Sequence, residues 1–142
     1  ELEVALDEKT KLLDMIRQAS TPIAPVVDGI LVVPLVGTFD SERAAFLTEK
    51  LLQEVARARA QTVILDISGV PVVDTDAAQL IIRLSRSVRL IGSGLFLVGL
   101  SPINAATIVR LGIELDTLET FSTLRDGLAQ ALKRQRRKIV SV

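Results

Sequence analysis

Val63-Ile64-Leu65-Asp66-Ile67-Ser68-Gly69-Val70-Pro71-Val72-Val73-Asp74-Thr75-Asp76-Ala77-Ala78 reads as one strand handing over to one helix. The β-branched, apolar run over residues 62–67 predicts a strand. Gly69 follows it, and Asp74-Thr75-Asp76 then carries the acid and hydroxyl chemistry with which helices begin. Residues 77–90 place Leu80, Ile81, Leu84 and Val88 on one side, which predicts a one-faced helix.

The same alternation extends in both directions. Upstream, residues 40–60 carry Ala44, Leu47, Leu51, Val55 and Ala58 at helical spacing. Before them, residues 23–27 and 30–36 flank Asp28-Gly29, the dipeptide signal of a tight β-hairpin. Downstream, residues 95–98 predict a strand, Ser101-Pro102 opens a helix in cap-then-proline order, and Gly112 stands where that helix closes. A short strand at 119–121 and a helix over 122–138 complete the series. Connections this short suit crossovers, so the pattern predicts an α/β domain with a mixed, mostly parallel sheet and an N-terminal antiparallel hairpin. Spacing does not fix the strand order.

Composition narrows the chemistry. At 142 residues the chain fits one domain with a sizeable core. Lys plus Arg and Asp plus Glu both number 17, so no net charge draws it toward nucleic acid or a membrane surface. It has no Cys and no His, which removes thiolate chemistry, disulfides and the commonest general base at neutral pH. The longest apolar runs are of strand length, far short of the roughly 20 residues that span a bilayer, and a soluble chain is expected. Four Phe with no Tyr or Trp offer no stacking platform for single-stranded nucleic acid. Lys133, Arg134, Arg136, Arg137 and Lys138 read as cations that complement a helix C-terminus and solvate the tail.

Residues 1–19 differ from the rest. Leu2, Leu6, Leu13 and Ile16 recur at coiled-coil spacing among charges, interrupted by Lys9, and Ser20-Thr21-Pro22 ends the segment. Two readings stay open: a helix that continues into another domain or lies on a partner, and a helix that folds back on its own domain. The first residue is Glu1 and the only methionine is Met15, so the chain is expected to be excised from a longer protein.

In open parallel sheets, function gathers where strand C-terminal ends meet helix N-termini. Two such junctions look alike here: Gly37-Thr38-Phe39-Asp40-Ser41-Glu42-Arg43-Ala44, and Gly69 through Ala78. Asp40 and Asp74 are natural N-caps, which puts Ser41 and Thr75 near the first helical position with exposed hydroxyls. A phosphate there meets free N–H groups and the positive end of the helix dipole. The local pattern is equally that of two ordinary caps.

The run Val63 to Thr75 resembles the signature of STAS domains, the sulfate-transporter and anti-sigma-factor-antagonist family, and in particular the C-terminal domain of stressosome scaffold proteins of the RsbR type. Pro34-Leu35-Val36-Gly37-Thr38-Phe39-Asp40-Ser41-Glu42-Arg43-Ala44 and Ala105-Ala106-Thr107-Ile108-Val109-Arg110-Leu111-Gly112-Ile113 extend the likeness, which runs from residue 23 to about 132. It implies a SpoIIAA-like α/β fold over residues 21–138, a tail at 139–142, and a linker helix over 1–20 from an N-terminal sensor domain. It implies phosphorylation at Thr75 and at a second acceptor, Ser41, where the subgroup commonly has threonine. Asp40, Asp74, Asp66 and Gly69 would support those switch loops. The implied partners are a switch serine/threonine kinase, a STAS co-scaffold protein and a phosphatase, around a homodimer within a larger cytoplasmic assembly in a bacterium. No cofactor, membrane or nucleic acid is implied. The function that follows is kinase sequestration and release in stress signalling.

Rival readings are weaker on the residues. A phospho-aspartate receiver with Asp66 as acceptor lacks its acidic pair, since Val27-Asp28-Gly29 is a turn, and has no lysine at 97–100. Asp66 reads instead as a buried acid bonded to backbone amides beside the Thr75 loop, or as an orienting group for it. A nucleotide-binding module lacks both G-x-G-x-x-G and G-x-x-x-x-G-K-[ST]. Hydrolysis through Ser41 or Thr75 lacks a histidine base, so an enzyme is not expected. A STAS domain of an anion transporter calls for membrane spans upstream, and no apolar span precedes Pro22.

Overall fold

The computed structural model describes residues 23–37, 40–112 and 118–140. The expectations for residues 1–20 and 141–142 lie outside them. In chain order the elements are β1 (Ala24–Val27), β2 (Ile30–Val36), α1 (Ser41–Ala58), β3 (Thr62–Gly69), α2 (Thr75–Leu90), β4 (Gly94–Val98), α3 (Pro102–Arg110), β5 (Glu119–Phe121) and α4 (Leu124–Val140). The expected α/β architecture, with its opening hairpin, is the one found.

Among the described residues the sheet has five strands in the order β1-β2-β3-β4-β5, identical to their order in the chain. β1 runs antiparallel to β2, and β2 to β5 run parallel. The Asp28-Gly29 signal makes the hairpin: Gly29 has φ 87°, open to glycine without strain, and Val27 faces Ile30 across the turn. The Gly29 carbonyl then accepts from the amides of Gln61 at 2.8 Å and Thr62 at 3.2 Å, which sets the start of β3 against the start of β2.

Alternation along the strands divides the core into two. Leu31, Val33 and Leu35 of β2, Val63, Leu65 and Ile67 of β3, and Leu95 and Leu97 of β4 point to one face. They meet Leu47, Leu51 and Val55 of α1, Leu80, Ile81, Leu84 and Val88 of α2, and Ile108 of α3. The intervening residues Ile30, Val32, Ile64, Phe96 and Val98 point to the other face, where Ala131, Leu128 and Leu132 of α4 cover them. Elementary topology accounts for this division. Right-handed crossovers that always step the same way along a sheet leave every crossover helix on one side. The second face therefore waits for a helix that is not a crossover. Gly127 lets α4 approach closely, since a Cβ there falls 2.7 Å from Val98 Cγ1.

Two helix starts differ from expectation. α2 begins at Thr75 and not at 77, because the Asp74 cap already sets the first turn. α4 begins at Leu124 and not at 122: the Thr123 hydroxyl accepts from the Asp126 amide at 3.1 Å and so caps the helix in place of Ser122. α4 also runs to Val140, past the expected boundary at 138.

Candidate functional site

β2 and β3 are parallel neighbours, so the helices that follow them start on the same rim of the sheet. At each start the chain turns out of an extended conformation at an aspartate, Asp40 with φ −86° and ψ 176° and Asp74 with φ −90° and ψ −176°. The Asp40 carboxylate accepts from the Arg43 amide, and that of Asp74 from the Ala77 amide, each at 2.8 Å. Each cap satisfies one otherwise orphaned donor of a first turn. Ser41 and Thr75 are the next residues, the first of α1 and α2, and both are exposed. With the capping work done by the aspartates, neither hydroxyl is needed to close its own helix.

A shallow groove of about 60 Å³ separates the two helix starts, lined by Asp40, Ser41 and Ala44 from α1 and by Asp76, Gln79, Leu80 and Arg83 from α2. Ser41 thus faces the groove. Thr75 is not among the lining residues, although its chain neighbour Asp76 is. Four acids, Asp40, Glu42, Asp74 and Asp76, stand against Arg43 and Arg83, for a local charge of −2. Arg83 is a member that the sequence reading did not include.

The loop that delivers Thr75 is fixed from a distance. Asn104, buried in the first turn of α3, accepts at Oδ1 from the Val73 amide at 2.9 Å and donates from Nδ2 to the Val70 carbonyl at 3.1 Å. Its own amide is held by the Ser101 hydroxyl cap at 3.1 Å. The loop's polar backbone is thereby satisfied inside an apolar setting, where Val70 and Val73 are buried. Asn104 was legible in principle, since it lies four residues before Ile108 on the buried stripe of α3 and is the polar intruder there.

Gly69 holds the other side of the loop. A Cβ at this position falls 3.0 Å from the Leu35 carbonyl oxygen and 3.2 Å from Val36 Cγ2, so glycine permits the close approach of β3 to β2. The Gly69 carbonyl accepts from the Gly37 amide at 3.4 Å, tying the two junctions together. Within the first junction, Arg43 Nη2 donates to the Val36 carbonyl at 3.0 Å.

Asp66 is bonded to a backbone amide, as expected of it, but does not reach the Thr75 loop itself. It is half-buried and its Oδ1 accepts from one amide, that of Ser68 in the same strand, at 2.9 Å. Among the described residues it makes no hydrogen bond to the Thr75 loop. Its neighbour is the β4–α3 turn, where Gly99 has φ 79° and a Cβ falls 2.7 Å from Asp66 Oδ1. The parallel pairing of Asp66 with Val98 explains this: a carboxylate late in β3 meets the chain leaving β4, and the Thr75 loop is held by Asn104 instead.

Apolar surface flanks the rim. Val72, in the Thr75 loop, is 64% exposed, Ile103, beside Asn104, 75%, and Phe46 of α1 59%. At the far end of α4 the basic run does more than solvate a tail. Arg134 pairs with both carboxylate oxygens of Glu119 at 2.5 Å and lies 5.0 Å over the Phe96 ring, and Gln135 donates to the Asp28 carbonyl. Among the described residues no helix is long and apolar enough to cross a membrane.

Known proteins place this arrangement. The family profile for the STAS domain matches residues 21–127. The RsbT co-antagonist protein RsbRA of Bacillus subtilis is 48% identical over 95% of this chain and 50% of its own length, and RsbRD of the same organism is 38% identical over 82% and 42%. The chain spans about half the length of these curated relatives. Among solved structures, a serine-to-glutamate variant of Moorella thermoacetica RsbS matches with a TM-score of 0.71 and 29% identity, over 82% of this chain and 97% of that one. A chain of the stressosome, described as a signal integration and transduction hub, matches at 0.72 and 29% over 81% and 99%.

Proposed function

Because the chain belongs to the STAS domain family, we propose that it is a phosphorylation-regulated interaction domain of a bacterial stressosome-type complex, with Thr75 and Ser41 as acceptors for a serine/threonine switch kinase. The observation that carries this reading is the rim: two exposed hydroxyls at adjacent, aspartate-capped helix starts, flanked by exposed Val72 and Ile103. A hydroxyl in that position is open to a kinase, and the first-turn amides and helix dipole receive the phosphate that results. The 48% identity to an RsbT co-antagonist supports a partner of the RsbT kind, and the likeness to RsbS and to the stressosome chain supports a STAS co-scaffold. The domain acts by holding and releasing these partners and not by catalysis, and a phosphatase resets it. Residues 1–20 connect it to a sensor domain within a cytoplasmic dimer that forms part of a larger assembly, residues 21–138 carry the STAS domain, and its last helix runs on to Val140, into the tail at 139–142.

Phosphate works here through binding. Each adds about −1.5 to −2 charge at neutral pH. On the rim, repulsion from the four acids and attraction from the helix ends, about 0.3–1 kcal/mol at each, oppose one another, so stability changes little. A partner seated on Val72 and Ile103 meets a large hydrated charge that it must desolvate or avoid. The test is to incubate the protein with the cognate kinase and ATP, map the sites by mass spectrometry, and compare Thr75→Ala and Ser41→Ala. Phosphate is expected on both hydroxyls, with each alanine removing its own site and Thr75→Ala blocking partner exchange. Labelling that is unchanged in both variants refutes the assignment.

A further inference from the structure

The two acceptors do not have the same surroundings, and the difference assigns them different work. Ser41 lines the groove between α1 and α2, and Arg83 lines it from the other side. Thr75 is not among the lining residues, and it lies eight positions before Arg83 on the same helix, about 12 Å along the axis at the usual helical rise. Arg83 is exposed and has no ion pair or hydrogen bond to its guanidinium among the described residues. The other charged groups near the acceptors are Asp40, Glu42 and Arg43 on α1 and Asp74 and Asp76 on α2. Asp40 and Asp74 are committed to their caps, and Arg43 to the Val36 carbonyl and the first turn of its own helix. Arg83 is thus the cation of the groove that stands across from Ser41.

We propose that Arg83 is the phosphate-reading residue of this domain: it pairs with a phosphate on Ser41 across the groove, clasping α1 to α2, and leaves a phosphate on Thr75 unpaired and directed at partners. The proposal rests on the reading of Ser41 and Thr75 as phosphoacceptors. A guanidinium presents paired N–H donors that match phosphate oxygens, and at a surface groove such a charge-assisted pair outcompetes a single carboxylate. The groove, at about 60 Å³, has room for a phosphate on Ser41. Asp76 on the opposite wall repels that phosphate, so the clasp depends on Arg83. One modification then stiffens the contact between two helices, and the other changes the outer face. The two phosphates carry separable messages.

The test separates this proposal from the kinase assignment by installing phosphoserine at position 41, or phosphothreonine at position 75, during synthesis of the protein, with no kinase involved. Phosphorus NMR then follows the second ionisation of each phosphate, ordinarily near pH 6. With Arg83 present, the phosphate on Ser41 is expected to titrate about half a unit or more below the same group in Arg83→Gln, with Arg83→Lys recovering part of the difference. The phosphate on Thr75 is expected to titrate alike in all three proteins. Equal titration of the phosphate on Ser41 with and without Arg83 overturns the proposal, as does an equal effect of Arg83 on both phosphates. Should the cognate kinase label neither hydroxyl, the functional reading fails while this measurement still reports on the groove.

Discussion

Asn104 Oδ1 accepts the Val73 amide proton at 2.9 Å across 31 positions of sequence, so the loop that presents Thr75 is anchored by a helix of a different crossover. The Asn104 Nδ2 in turn donates to the Val70 carbonyl at 3.1 Å. Replacing Asn104 with Leu leaves both backbone groups buried without partners, at about 1–3 kcal/mol for each such group. A loss of about 2–6 kcal/mol is expected in urea unfolding. Because the Val70–Val73 loop leads to Thr75 and not to Ser41, kinase labelling of Thr75 is expected to fall further than that of Ser41. Equal losses at both sites would show that Asn104 supports the fold in general and not the loop.

The two caps are expected to behave as a matched pair. Asp40→Ala and Asp74→Ala each leave one first-turn amide unsatisfied, a change that costs about 0.5–2 kcal/mol. Asp40→Asn and Asp74→Asn retain an acceptor oxygen and are expected to recover most of it. Denaturant midpoints of the four variants, measured at one pH, check this. Alanine variants as stable as the parent protein mean that the hydroxyls of Ser41 and Thr75 can cap in their place.

Gly99 combines φ 79° with a virtual Cβ 2.7 Å from Asp66 Oδ1 and 2.8 Å from the Ser68 amide nitrogen. An alanine therefore meets both backbone strain, about 1–2 kcal/mol for a left-handed conformation, and a carboxylate it must displace. Gly99→Ala is expected to lower stability by about 2 kcal/mol or more. Gly92→Ala, at φ 90° but with nothing near its virtual Cβ, is expected to cost the strain alone. Thermal unfolding of the two variants side by side checks the difference.

The Arg134 hydrogen bonds and charge hold the Glu119 carboxyl below its usual value of 4.5. A depressed folded-state pKa stabilises the fold above the unfolded value, and that contribution disappears as the pH falls through the folded value. Stability that depends on this pair is therefore expected to be complete at neutral pH and to decline below about pH 4.5. The pair is partly exposed, so its worth is of the order of 0.2–1 kcal/mol and shrinks in salt. Glu119→Gln is expected to flatten this part of the stability profile, measured by urea unfolding from pH 7 down to pH 3.

The sequence made some of this architecture readable and concealed the rest for identifiable reasons. Asp28-Gly29, the caps at Asp40, Asp74 and Ser101, and the stripes Leu47-Leu51-Val55 and Leu80-Leu84-Val88 are local signals, and each produced the element it predicts. Family likeness supplied the two hydroxyls, which spacing alone did not distinguish from ordinary caps. What stayed hidden was long-range. The strand order, the reach of Asn104 to Val73, and the sharing of a groove by Ser41 and Arg83 depend on which crossover lies beside which, and no periodicity encodes that. The surroundings of Asp66 were hidden for the same reason: its neighbour Gly99 is 33 residues away, at the end of another strand. Arg134 was read as part of a basic run because its partners, Glu119 and Phe96, come from other elements.

The identity of strand order and chain order bears on how the protein is made. Each strand of β2 to β5 can pair with its predecessor as it leaves the ribosome, without waiting for a later segment to insert between them. The face formed by Ile30, Val32, Ile64, Phe96 and Val98 is the exception. Its cover arrives with α4, whose Gln135 reaches the Asp28 carbonyl over 107 residues. Until the last helix is synthesised, no other described element covers this apolar face of the nascent sheet. That interval, and not the finished fold, is when the chain is most open to chaperones and to aggregation.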